Sequence, residues 1–163
     1  VGDLALSASY NPRGTAAGVK GGSEQGYAVV YSGLMDGLEL SAAMFDDGDE
    51  AENDTIGVKY TMGSITAAYQ ITNVDYEAQG STDQEAAHYG VSIAINEDLS
   101  VSAGRQEVEF DGAADDEVNS GFMASYTMGS ISIGGGFNKL ENVGGSNTAK
   151  EVEASIFNIA FSF

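Results

Sequence analysis

The sequence predicts an all-β protein, an antiparallel transmembrane β-barrel of ten strands, on three observations. Hydrophobicity alternates with a period of two in ten separate runs, which marks strands with two unlike faces. The connections between the runs alternate long and short. The acidic residues crowd the long connections and leave most positions in the runs uncharged.

The runs follow in chain order. The first sets Leu4, Leu6, Ala8 and Tyr10 against Ala5, Ser7 and Ser9. The second, over 27–34, sets Tyr27, Val29 and Tyr31 against Ala28, Val30 and Ser32, with the weakest polarity contrast. The third sets Leu38, Leu40, Ala42 and Met44 against Glu39 and Ser41, and the fourth sets Ile56, Val58, Tyr60 and Met62 against Thr55, Gly57, Lys59 and Thr61. In the fifth, Ile65, Ala67, Tyr69 and Ile71 oppose Thr66, Gln70 and Thr72; in the sixth, Tyr89, Val91, Ile93 and Ile95 oppose His88, Gly90, Ser92 and Ala94. The seventh begins Leu99, Val101, Ala103 against Ser100, Ser102 and Gly104, and the eighth has Phe122, Ala124, Tyr126 and Met128 against Gly121, Ser125 and Thr127. The ninth sets Ile131, Ile133 and Phe137 against Ser132, Gly134 and Asn138, and the last sets Phe157, Ile159, Phe161 and Phe163 against Asn158, Ala160 and Ser162. Helical spacing explains none of them as well.

Counted back from Phe163, long connections at 139–154, 111–120, 72–86, 46–54 and 11–25 alternate with short ones at 127–130, 96–98, 61–64 and 33–37. Two short turns are near copies: residues 60–65 and 126–131 both read Tyr-Thr-Met-Gly-Ser-Ile. A soluble sandwich gains nothing from gathering its long loops at one end, whereas an outer-membrane barrel has short periplasmic turns and long extracellular loops.

Composition excludes several alternatives. The 163 residues form one expected domain, 1–163, with 6 Lys+Arg against 25 Asp+Glu, a formal charge of −19. Nucleic-acid binding rests on basic side chains neutralising phosphates, so no such partner is expected. Disorder is disfavoured by 42% hydrophobic residues with 8 Tyr and 7 Phe. The absence of cysteine removes disulfides and thiolate metal sites. No apolar run reaches the ~18 residues of a transmembrane helix. No basic, apolar secretory signal opens the sequence, and Val1-Gly2-Asp3 leads directly into alternation, so a mature chain, or one whose beginning is missing, is expected.

Alternation alone does not separate a soluble sheet from a membrane barrel, in which apolar side chains face lipid and polar ones face water. The small face built from Ser, Thr, Gly and Ala with few charges favours the barrel, since a solvated soluble face carries many Lys and Glu. Tyr10, Tyr27, Tyr60, Phe122 and Tyr126 fall near run ends, where interfacial aromatic girdles lie.

The closing stretch, with Phe157, Ile159, Phe161 and terminal Phe163 in alternation, resembles the assembly signal of Gram-negative outer-membrane proteins. Together with the acidic composition and the Tyr-Thr-Met-Gly-Ser turns, the chain is similar to the general diffusion porins of alphaproteobacteria. The resemblance implies a sixteen-stranded barrel, of which these residues form the last ten strands, a homotrimer in the bacterial outer membrane among lipid and lipopolysaccharide, and passive diffusion of small hydrophilic solutes. The family's constriction loop and the arginines facing it would precede Val1. Sheet edges left open in lipid cost several kcal/mol per unpaired backbone group, so the first and last strands pair or other strands, roughly a hundred residues' worth, close the barrel.

The inward polar residues Glu39, Lys59, Gln70, His88, Gln106 and Asn158 are the candidate pore-lining set, with Lys59 the preferred selectivity residue. An excess of carboxylates predicts mild cation preference. Arg105 falls on the lipid phase and the apolar phase then switches to Val108 and Phe110, which suggests a β-bulge or a subunit contact. No cofactor is required, but the clusters Asp46, Asp47, Asp49, Glu50, Glu52, Asp54 and Asp111, Asp115, Asp116, Glu117 offer oxygen donors that calcium favours. Two rivals stay open. A small closed ten-stranded barrel with an enzymatic or adhesive role has only His88 with Asp83 or Glu85 as a catalytic sketch; a soluble secreted β-sandwich is the other.

Overall fold

The computed structural model describes residues 3–12, 22–48, 51–77 and 80–161. These residues form ten strands: β1 (Leu4–Asn11), β2 (Glu24–Tyr31), β3 (Leu38–Asp46), β4 (Ala51–Met62), β5 (Ile65–Tyr76), β6 (Gln84–Ala94), β7 (Leu99–Phe110), β8 (Glu117–Met128), β9 (Ile131–Glu141) and β10 (Val152–Phe161). They build one antiparallel sheet in strict chain order, in which β1 pairs with β2 and β10 with β9. Phe163 of the closing motif lies outside the described residues; Phe157, Ile159 and Phe161 lie on β10.

The twin turns are two-residue hairpins. Gly63 and Gly129 take φ of 59° and 61°, the glycine-first geometry that matches the right-handed twist of flanking strands. The β6–β7 turn is held differently, with the Asp98 and Leu99 amides donating to Asn96 Oδ1 at 2.9 and 2.8 Å.

Several strands run further into the long connections than the alternation indicated. The structure places Asp46 on β3, residues 51–54 on β4, 73–76 on β5 and 117–120 on β8. The expected strict alternation of connection length also fails once: 47–50 is shorter than 32–37 at the opposite end. The reason is physical. Strands β4, β5, β7 and β8 have 12 residues each, against the ~9–11 that a tilted strand needs to cross a bilayer. Past the bilayer the hydrogen-bond ladder continues, while the hydrophobic pattern that announces a strand does not.

Register assigns each residue to a face, because directly paired residues share one. Leu6, Val29, Ala42, Ile56, Ile71 and Ala87 form one unbroken row across β1–β6. On the same face Tyr69 sits by Tyr89 and Phe122 by Phe137, with ring centroids 6.4 and 6.2 Å apart. This outer face turns charged at the long-connection end of nearly every strand: Asp46, Glu52, Asp54, Asp75, Glu85, Glu107, Glu109, Glu141 and Glu153, with Arg105 and Lys139. The opposite, inner face changes in the reverse sense, from Ser, Thr, Gly and amide side chains to Val74, Val108, Phe110 and Leu140.

That reversal corrects the reading of Arg105. Pairing runs through Tyr89↔Arg105↔Ser120 and on through Ala86↔Val108↔Glu117 without a bulge. The switch to Val108 and Phe110 is a change of medium along a regular strand: beyond the lipid the outer face meets water and the inner face packs under the loops. Ala51 and Val108, the buried hydrophobic residues among those described, both belong to this inner end. Arg105 stands at the margin of the apolar band, bonded to Glu107 at 2.6 Å.

No dry core exists among the described residues. Leu40, Val91, Ile133 and Ile159 are 38–49% exposed, as are large apolar side chains along the whole outer face. A soluble sandwich would bury these residues between two sheets. A surface this apolar demands a non-aqueous neighbour.

Candidate functional site

The inner face is the candidate site. Small residues keep it shallow, and the polar side chains it carries come from every second position of adjacent strands. Glu39 and Lys59 are register partners on β3 and β4, and Lys59 Nζ lies 2.7 Å from Glu39 Oε1. The preferred selectivity residue therefore carries its counter-charge beside it. Gln70, His88 and Gln106 are successive register partners across β5, β6 and β7, and Asn119 of β8 continues the row. Gln70, His88, Gln106, Asn119 and Asn138 line one trough of about 470 Å³.

Asn158 of β10 lies across Gly134 of β9, and Asn138 of β9 across Gly121 of β8, so that a Cβ on either glycine would meet the asparagine carboxamide. Elsewhere hydroxyls pair along the wall: Thr55 with Thr72 at 2.9 Å, Thr61 with Thr66 and Thr127 with Ser132 at 3.1 Å.

All six predicted lining residues thus share one face: Gln70, His88 and Gln106 as one contiguous row, Glu39 and Lys59 as a pair, and Asn158 apart from both. Sequence reasoning missed Asn119 and Asn138. Asn138 stood in the polar phase of its run, whereas Asn119 fell in a segment read as loop because Glu117 and Asn119 flank the apolar Val118 without a long alternating stretch around them. The catalytic sketch fails in part: His88 is inward, while Glu85 pairs with Glu109 on the outer face, and Asp83 Oδ1 accepts the Tyr76 amide at 2.8 Å.

The acidic candidates divide. Asp46 Oδ1 accepts the Gly48 amide at 2.6 Å, Asp47 Oδ1 the Ala51 amide at 3.0 Å, and Glu117 Oε2 the Gly144 amide at 2.8 Å. Asp46 and Asp47 brace their own connection, and Glu117 holds the neighbouring β9–β10 connection. Asp111, Asp115 and Asp116 lie in the β7–β8 connection, and Asp49 and Glu50 lie outside the described residues. Among the described residues no three His, Cys, Asp or Glu converge as a metal-binding group.

A family model for Gram-negative porins matches residues 1–162. The chain belongs to the Gram-negative porin family. It is accordingly an outer-membrane β-barrel chain, and the family is a class of channels and not of enzymes. Among solved structures, a triple mutant of the Rhodopseudomonas blastica porin is 20% identical with a TM-score of 0.43, over 86% of this chain and 55% of that one. The porin-family chain therefore spans about half the length of that porin. A search of curated protein sequences finds no match. In a porin-family barrel the apolar outer face meets lipid and the inner face meets water; the polar trough lies on the face opposite the apolar one.

Proposed function

We propose that the chain forms part of the wall of a passive diffusion channel for small hydrophilic solutes and ions, mildly cation-preferring, in the outer membrane. The observation that carries this reading is the two-sided sheet: one register-continuous face of exposed apolar side chains, and behind it a face of Gln70, His88, Gln106, Asn138 and Asn158 among mostly small residues, with Met123 and Ile156 the larger apolar side chains beside them. The mechanism is sieving by bore, loops and charge, with no bond made or broken. Cation preference has its source in the carboxylates of the long connections at the mouth, since the wall's own Lys59 is balanced by Glu39.

Among the described residues β1 is hydrogen-bonded along β2 and β10 along β9, at the two ends of the sheet, and lipid requires that such a sheet be closed; the reading is that further strands of a sixteen-stranded barrel supply the closure and that three such barrels assemble. Asp46, Glu52 and Asp75 stand in one like-charged row, and Glu85 opposes Glu109. Like charges directly opposite are destabilising, which supports bridging calcium between these strand ends, the acidic connections and neighbouring lipopolysaccharide.

Planar-bilayer recording of the purified protein tests the channel. Stepwise ohmic conductance with a reversal potential toward the cation equilibrium is expected; absence of conductance would overturn the proposal.

A further inference from the structure

The inner positions of β5–β10 are almost free of charge. Among the described residues they carry no Asp, Lys or Arg, and Glu only at 117, where the β8 strand ends and the carboxylate holds the Gly144 amide. The strand carboxylates of this half of the sheet point outward instead. What the inner wall does offer is carboxamides. Gln70, Gln106 and Asn119, with His88 among them, follow the register, and Asn138 and Asn158 then step toward the short-turn end. Gln70, His88, Gln106 and Asn119 thus form one row across four strands, and Asn138 and Asn158 are offset from it toward the short turns.

We propose that the β5–β10 wall is a neutral hydrogen-bonding track that selects uncharged, hydroxylated solutes such as sugars. This rests on the channel reading above and adds a substrate class to it. Each carboxamide offers two N–H donors and an acceptor oxygen, the complement of a sugar hydroxyl. The track has no fixed charge to hold a counter-ion. Gly134 and Gly121 let Asn158 and Asn138 lie against the wall, so the groups are presented without closing the bore.

The test uses the full protein in proteoliposomes, with glucose as the neutral probe and potassium chloride conductance as the reference. Replacing Gln106 and Asn119 together by leucine should lower the glucose swelling rate several-fold while potassium chloride conductance changes far less. Equal changes in both, or none, overturn the track. The near-isosteric pair Gln106→Glu with Asn119→Asp should move the reversal potential toward potassium; an unmoved potential shows that these side chains do not line the path and also overturns it. A wild-type protein that passes neither glucose nor ions fails at the channel reading itself, a distinguishable result.

Discussion

Asn158 on β10 lies over Gly134 on the paired strand β9, and a methyl group at Gly134 would fall on the asparagine's Oδ1. Gly63 and Gly129 serve turns; Gly134, like Gly121 beneath Asn138, makes room for a neighbour's side chain. The pair fixes how far that carboxamide stands out from the wall.

Gly134→Ala should therefore cost about 1–3 kcal/mol, as overpacking does. In an Asn158→Ala background the cost should vanish, since loss of glycine freedom in the unfolded chain then favours the folded one. Unfolding of the four proteins of this double-mutant cycle measures the coupling. Equal costs in both backgrounds would remove the contact from the account. Single-channel conductance of Gly134→Ala should fall, because the displaced carboxamide has only the lumen to enter.

The Glu39–Lys59 pair yields a prediction in both directions. Lys59→Met leaves the Glu39 carboxylate alone on the wall and should shift the reversal potential in a potassium chloride gradient toward potassium. Glu39→Gln should shift it toward chloride, and the double substitution should restore the wild-type value. If neither single substitution moves the potential, the pair does not face the conducting path.

Face assignment is testable at neighbouring positions of β6. Val91 is an outer residue and Ser92 an inner one. Val91→Arg should destabilise the barrel by about 2–4 kcal/mol, the cost of a lipid-facing base near the bilayer midplane. Ser92→Arg should cost little and reduce cation preference. Thermal or denaturant unfolding with bilayer recording separates the two, and the reverse order of costs would invert the sheet.

The like-charged row Asp46–Glu52–Asp75 predicts a response to calcium. Thermal stability should rise at millimolar calcium and fall on chelation. The substitutions Glu52→Gln and Asp75→Asn should raise stability without calcium and blunt the response. A melting temperature indifferent to millimolar calcium refutes the bridging role.

The strands and their order were legible because a sheet between lipid and water needs two unlike faces along every strand, and that need is written residue by residue in runs such as 56–62 and 65–71. Beyond the lipid the requirement lapses. Residues 51–54, 73–76 and 117–120 continue the ladder in water without the pattern, so they read as loop, and Asn119 was lost with them. The polarity reversal at Val108 looked like a bulge for the same reason.

The sequence by itself determined the strand count, the antiparallel chain order, which positions carry the apolar face and that Glu39, Lys59, Gln70, His88, Gln106 and Asn158 share the opposite one, because alternation is a local property of consecutive residues. Only the tertiary structure decided who stands beside whom. Register depends on backbone hydrogen bonds between residues distant in the chain, and it is register that neutralises Lys59 with Glu39, lays Asn158 over Gly134 and places the strand carboxylates of β5–β10, Glu117 excepted, on the outer face. A net charge of −19 says nothing of which face carries it.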